Sequence, residues 1–241
     1  MNETVQLIEL LKQEAPLVAM LAPSFPVVYE YPAIVGKLKR LGFTYVFEVA
    51  VGAKKTNEAV LAALQKNPHS RFITSPCPSF VRLVRQKYPH LLKYVALNID
   101  SPMVATARLI KERFPGVRPV FIGPCIAKKF EASEDHPELN ILVLTYKEMA
   151  EVFTHFNLFN DPADQKASFD LEQPQTRLYS VSGGLSQSSQ AEQMLAEDEL
   201  SVVSGWQNCQ EALQQFEQNS QIRLLDILFC EGGCVLMAQV L

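Results

Sequence analysis

Long apolar runs are missing from this chain of 241 residues. The longest are Leu17–Leu21, Ile141–Leu144 and Leu224–Phe229, the last broken by one Asp. All fall far short of the ~20 residues that a membrane-spanning helix needs. The start, Met1-Asn2-Glu3-Thr4, lacks the basic and apolar segments of a secretory signal. A cytoplasmic, reducing compartment is the expectation, with no membrane partner. Charge of one sign is missing too: 22 Lys and Arg stand against 26 Asp and Glu, without a one-signed block, for a net charge of −4. No clustered positive field is available for nucleic acid. Repeats and low-complexity stretches are absent, and the composition excludes a disordered tail, a collagen-like rod and a coiled coil. What remains is ordinary globular usage, 48% hydrophobic and 20% charged. A chain of this length reads as roughly one or two domains. It can bury on the order of 70–75% of its unfolded surface without a disulfide scaffold.

Histidine is scarce, with four residues, and cysteine is limited to an odd five: Cys77, Cys125, Cys209, Cys230 and Cys234. In a reducing compartment, clustered Cys points to metal or redox chemistry rather than to disulfides.

Strand and helix patterns alternate along the chain. Glu3–Gln13 has helical periodicity and Leu17–Leu21 reads as a buried strand. Val27–Leu41 reads as a helix ended by Gly42, with Pro32 inside it either kinking it or delaying its start. Tyr45–Val51 is β-branched and aromatic, hence a strand, and Asn57–Gln65 a helix. Strands are expected next at Arg71–Thr74, Pro119–Ile122, Asn140–Leu144, Arg177–Val181, Leu200–Val203 and Leu224–Phe229. Helices are expected at Pro78–Tyr88, from Ser101-Pro102 to Phe114, and at Tyr146–Phe156, Gln187–Ala196 and Trp206–Phe216. Ser101-Pro102 is a strong helix start, Ser as the cap and Pro in the first turn. The polar stretch Asn157–Gln175 is long enough to suggest a boundary between two lobes or an insertion. This alternation predicts an α/β fold with short, mainly parallel sheets flanked by helices.

Four of the five cysteines fall just after predicted strands. Cys77 lies in Thr74-Ser75-Pro76-Cys77-Pro78, Cys125 in Gly123-Pro124-Cys125-Ile126-Ala127-Lys128-Lys129, and the last pair in Cys230-Glu231-Gly232-Gly233-Cys234. Ligands of α/β sheets collect outside the carboxyl ends of strands. Gly and Pro at these turns let backbone approach a cofactor closely. Four thiolates suit zinc or an iron–sulfur cluster. Structural zinc sites usually come as two short Cys hairpins, whereas here one close pair exists and no His is adjacent. A dispersed set on strand ends suits a buried cubane better. A single such Cys is ordinarily a small buried hydrophobe. Cys209, mid-helix and without turn chemistry, is read that way.

At these three loops the sequence resembles the catalytic domain of FeFe-hydrogenases. The family's Thr-Ser-(Cys)-Cys-Pro, Pro-Cys-x-x-Lys-Lys-x-Glu and Cys-x-Gly-Gly-Cys loops correspond, in order, to the segments around Cys77, Cys125–Glu131 and Cys230–Cys234. The resemblance runs from Ala22-Pro23-Ser24 to Cys234. It implies a single hydrogenase-like domain over 1–241, with two lobes, a boundary near 157–175 and a cofactor in the cleft between them. The implied cofactor is a 4Fe-4S cubane on Cys77, Cys125, Cys230 and Cys234. In the complete H-cluster it is joined through Cys234 to a di-iron unit carrying CO, cyanide and a dithiolate bridge. The same resemblance implies that Lys128 donates to a cyanide, with Lys129 competing for that role. Ala22, Pro23 and Ser24 would line the di-iron pocket, and Glu131 would partner Lys128 or the loop.

The sequence departs from that pattern in places that bear on turnover. Catalytic members have a proton-relaying Cys where this chain has Pro76, and many have Gln where it has Met103. The Gly-rich stretch after the last Cys is replaced by Val235-Leu236-Met237-Ala238. No ferredoxin-like Cys-x-x-Cys set lies in the sequence given, and the expectation is a chain without a ferredoxin-like N-terminal domain or a C-terminal output domain of its own. These features resemble divergent, sensory members, so the expectation is an H2- or redox-sensing domain of low turnover. Ferredoxin or another electron carrier, maturation factors and a signalling output domain are the partners it implies. The alternatives are a minimal hydrogenase fed by an external ferredoxin, a cubane-only iron–sulfur protein, and a metal-free α/β domain.

Overall fold

The computed structural model describes residues 2–240. Among the described residues seven strands form two sheets, every strand pair parallel. The first holds β1 (Leu17–Leu21), β2 (Tyr45–Glu48), β4 (Arg118–Gly123) and β5 (Leu142–Thr145) in the order β2-β1-β4-β5. The second holds β3 (Phe72–Ile73), β6 (Leu200–Ser204) and β7 (Leu224–Leu228) in the order β3-β7-β6. The chain therefore crosses between sheets after β2, after β3 and after β5. Ten helices flank the sheets among the described residues: α1 Glu3–Lys12, α2 Ala33–Leu41, α3 Ala50–Lys66, α4 Pro78–Lys87, α5 Pro102–Arg113, α6 Ala127–Phe130, α7 Tyr146–His155, α8 Gly184–Ser189, α9 Trp206–Gln218 and α10 Cys234–Val240. None is long and apolar enough to cross a membrane.

Burial agrees with the alternation. All of β1 and β7 is buried, as all-parallel strands covered on both faces require. One core surrounds the first sheet, with Leu17, Met20, Phe25, Phe47 and Met149 among its members. The second sheet has a core on each side, one containing Cys77, Phe80, Cys209 and Phe216, the other Ala53, Tyr179, Leu185 and Leu224.

Five expected elements differ from the observed ones. The helix expected over Val27–Leu41 begins only at Ala33, after a 3-10 turn at Phe25–Val27. Pro32 has no N–H to donate and delays the start; Gly42, at φ 120°, ends the helix as its spacing predicts. The strand expected over Tyr45–Val51 stops at Glu48, and α3 starts at Ala50, seven residues before the predicted Asn57. Gly52 explains this, because a Cβ there would overlap the Pro102 carbonyl oxygen and its absence lets α3 pack directly on α5. The strand expected over Arg177–Val181 falls in a 3-10 segment, Pro174–Ser180. Side chains hold it there: Thr176 Oγ1 donates to the Ala50 carbonyl and Arg177 pairs with the buried Glu48. The helix expected over Gln187–Ala196 is shorter and earlier, because Gln190 turns into the left-handed region at φ 63°. The polar stretch 157–175 runs along the first sheet, with Leu171 bridging Phe47 and buried Asp164 pairing with Arg40 2.8 Å away.

Candidate metal and cofactor site

Each cysteine loop is fixed by local chemistry. Below β3, the Thr74 hydroxyl accepts from Ile227 N at 3.2 Å and Ser75 Oγ donates to the Ala96 carbonyl at 2.7 Å. Together they tie the first loop to β7 and to the segment before α5. Cys77 then caps α4, with Pro78 in the first helical turn. The second loop comes after β4, and Lys128 N donates back to the Cys125 carbonyl at 3.3 Å. The third comes after β7: Gly233 N donates to the Cys230 carbonyl at 3.1 Å, and α10 begins at Cys234. Gly233 has φ 92°, and a Cβ there would lie 2.5 Å from the Ser180 carbonyl oxygen. Only glycine allows this loop to close against the 178–181 segment.

The thiols of Cys77, Cys125, Cys230 and Cys234 gather in one place, near enough to act on one another electrostatically. Burial pushes the Cys77 thiol up, with Cys125 adding to it; the N–H groups of Phe229 and Phe80 and the Lys128 ammonium oppose this. Cys230 is pushed up to about 11 by burial and then by Cys77 and Cys125. Burial and the three other thiols push Cys234 up as well, with Lys128 opposing. Crowded and buried in this way, Cys77, Cys230 and Cys234 resist ionisation as free thiols. A positively charged metal centre would reverse that by binding the thiolates. Cys209 also lies near this group. It is fully buried in α9, its thiol is pushed up to about 12 by burial and then by Cys77 and Cys230, and its Sγ points to the Leu228 carbonyl at 3.6 Å.

Lys128 lies beside the thiols and ties three segments together. Its buried Nζ donates to Glu131 Oε2 at 2.5 Å, to the Pro76 carbonyl at 3.1 Å and to Ser101 Oγ at 3.2 Å. Those three bonds use every N–H of an ammonium group. Glu131, also buried, opens a π-helical turn, Glu131–Asp135. A surface cleft of about 170 Å³, lined in part by Ser75, Ser101, Glu131, Asp135 and His136, reaches this knot. Lys129 points elsewhere, pairing with Glu3 and Glu148.

Ala22, Pro23 and Ser24 turn the chain at the end of β1. Ala22 N donates to the Ile122 carbonyl at 2.9 Å, and buried Ser24 Oγ shares a 2.8 Å hydrogen bond with the Tyr146 hydroxyl. Tyr146 opens α7 at the end of β5 and lies near Cys234; burial pushes its hydroxyl up despite the bond to Ser24. Reading the sequence for cysteine missed Tyr146, although the same strand-end position applies to it. Ser101 is legible in sequence as a helix cap, and its second role as the acceptor of Lys128 is not. Pro76 is buried and meets Lys128 through its carbonyl alone. Met103 is fully buried in the first core.

The family described as iron only hydrogenase large subunit, C-terminal domain, matches residues 15–236. The chain belongs to the iron-only hydrogenase family. Among related proteins, iron hydrogenase 1 of Clostridium pasteurianum is 31% identical over 132 residues, which is 48% of this chain and 23% of that protein. The cytosolic Fe-S cluster assembly factor NAR1 of Eremothecium gossypii is 26% identical over 122 residues, 48% of this chain and 27% of that protein. The matched regions are thus about a quarter of each of these relatives. Among solved structures, the apo [FeFe]-hydrogenase HydA1 of Chlamydomonas reinhardtii, variant C377H, superposes with a TM-score of 0.72 at 16% identity, covering 98% of this chain and 83% of that one. That likeness shows the fold: short parallel sheets flanked by helices.

The donor type of this hydrogenase-family domain, four thiols from three strand ends, is the one iron–sulfur clusters use. Among the described residues no three His, Cys, Asp or Glu side chains are spaced to hold one metal ion. The four thiols nevertheless sit within electrostatic reach of one another. A cluster of several irons keeps its thiolates further apart than one ion does, and thiolate is the ligand that iron–sulfur clusters use.

Proposed function

We propose that this iron-only hydrogenase-family domain binds a 4Fe-4S cluster through Cys77, Cys125, Cys230 and Cys234 and serves H2 or redox sensing with low turnover. The observation that carries the reading is the gathering of four thiols from the ends of three parallel strands, with one buried ammonium beside them. When bound, the cluster supplies one-electron storage. The chain's own part is to hold the thiolates, to place the Lys128 ammonium beside them and to pack the buried Pro76 and Gly233 turns against them. Low turnover is expected from Pro76, whose side chain neither donates nor accepts a proton. General acid–base help at such a position is typically worth 10²–10⁴-fold.

A second reading, a cubane-only protein, draws support from Lys128. All three of its N–H groups are spent on Pro76, Ser101 and Glu131, so a cyanide ligand would have to displace one of them. Electron carriers, maturation factors and an output domain belong to the first reading. Infrared spectroscopy of a matured, anaerobic sample decides between the two. CO and cyanide bands support the first reading, and a loaded cubane without them supports the second. An H2-evolution assay on the same sample then separates a low-turnover sensor from a minimal hydrogenase.

A further inference from the structure

Among the described residues, Asp226 is the one fully embedded carboxylate of the second sheet that the thiol site does not use. It lies in β7, the middle strand, and is 2% exposed. Its Oδ2 accepts from Ser186 N at 3.0 Å and from Ser186 Oγ at 2.7 Å. Among the described residues no Lys, Arg or His pairs with it; the charged or titratable groups that act on it or feel it are Glu192, beyond α8, and Tyr179. From α3, Thr56 lies beside Tyr179 and does not titrate. An acid held this way binds a proton more tightly than usual, because burial outweighs the two Ser186 bonds.

The surroundings connect Asp226 in two directions. Outward, the Tyr179 hydroxyl is buried without a hydrogen-bond partner, since its neighbour Thr56 Oγ1 donates instead to the Gly52 carbonyl at 3.1 Å and to the Asp100 carbonyl at 2.9 Å. Thr56 also lines a surface cleft of about 230 Å³, with Lys55, Asp100 and Arg108. Rotation of one hydroxyl would therefore link that cleft to Tyr179, and Tyr179 feels the Asp226 charge. Inward, Asp226 precedes Cys230 by four residues, and Tyr179 precedes Ser180, whose carbonyl packs on Gly233.

We propose that Asp226 is a redox-linked protonation site: it takes up a proton from solvent, through the Thr56–Tyr179 side, when the thiol-bound cluster gains an electron. The proposal rests on the cluster reading of the proposed function. An external one-electron carrier delivers the electron, the cluster becomes one charge more negative, and the Asp226 carboxylate becomes a neutral carboxyl by binding one proton. The bound proton offsets part of the added charge: for a coupling of about one pH unit, uptake peaks at roughly half a proton per electron midway between the two plateaus. Four residues of extended chain place Cys230 within about 14 Å of Asp226. At an effective dielectric of about 20, one added charge at that distance raises a carboxyl's proton affinity by about one pH unit. For a one-electron couple that is a drop of about 59 mV in midpoint potential from the acid to the alkaline plateau.

The test is a set of redox titrations of the iron-reconstituted chain across a pH series, monitored by the cluster's electron paramagnetic resonance signal. Wild type should show the sloped region between two plateaus, and Asp226→Asn should be flat with the same iron content. Ser186→Ala keeps the carboxyl but removes one of the bonds that favour its charged form, so its sloped region should move to higher pH by about one unit. It also serves if Asp226→Asn fails to fold. A flat wild type with full iron, or a slope unchanged in both variants, overturns the proposal while leaving the cluster reading intact. Absence of bound iron and sulfide in wild type overturns the cluster reading, and the proposal with it.

Discussion

The Lys128–Glu131 pair is the most demanding test of how the cysteine loops are held. Both side chains are buried, at 9% and 7% exposure, and they meet at 2.5 Å. Glu131→Leu leaves the ammonium with only two neutral acceptors, the Pro76 carbonyl and Ser101 Oγ. Breaking a buried pair from one side costs about 3–5 kcal/mol. The lower end applies, because Glu131 lines the cleft and solvent reaches the edge of the pair. About 3 kcal/mol in a domain of this size lowers the unfolding midpoint by roughly 6–12 °C. Lys128→Met strands the Glu131 carboxylate and should cost a similar amount. The double variant Lys128→Met/Glu131→Leu should recover most of the loss, since replacing both charges with apolar groups is often neutral or stabilising. Thermal unfolding of the iron-free chain, monitored by circular dichroism, reads all three. Single variants that lose less than about 1 kcal/mol, or a double variant no better than the worse single, would show that the pair behaves as a solvated surface contact and does not tie the loops together.

Other consequences can be checked as directly. Cys125→Ala and Cys230→Ala should each lose iron after anaerobic reconstitution, whereas Cys209→Ala, whose thiol is turned toward the Leu228 carbonyl, should keep it; equal iron in all three would reject the ligand assignment. In a matured sample Pro76→Cys should raise H2 evolution by up to 10²–10⁴-fold at constant iron; wild-type turnover already equal to that variant's would favour the minimal-hydrogenase reading. Asp226 makes the iron-free chain pH-sensitive. Its proton affinity is raised by burial in the folded state, so from about pH 4 upward the unfolded chain releases this proton first and stability falls until the folded carboxyl also ionises. The melting temperature of Asp226→Asn relative to wild type should therefore rise with pH over that range; a constant or shrinking difference would count against it.

Much of the cysteine placement was legible because parallel α/β sheets send their strand ends to one side and Gly or Pro must shape the turns there. Thr74-Ser75-Pro76-Cys77 and Cys230-Glu231-Gly232-Gly233-Cys234 carry both signals, and both sheets are parallel as the alternation implied. The helix end at Gly42 and the cap at Ser101 were readable for the same reason, since each rests on one residue's local chemistry. What stayed hidden depends on distant partners. Arg177–Val181 looks like a strand until buried Glu48 claims Arg177, and α3 starts early only because Gly52 lets it meet α5.

The site itself divides along the same line. Lys128 was expected to face a ligand, and in the fold its three donors are committed to two loops and a helix cap. Two of those acceptors are legible in sequence only in other roles, Ser101 as a helix cap and Pro76 as a turn residue without an ionisable side chain. At Pro76 the side chain and the backbone have separate effects. Its ring can neither donate nor accept a proton, yet its carbonyl contributes a bond that any residue at that position would supply. Substitution there can therefore change proton delivery without untying the loop, so the turnover of Pro76→Cys and the stability of the Lys128–Glu131 variants report on separable properties. A charged pair that carried both roles would move both measurements together.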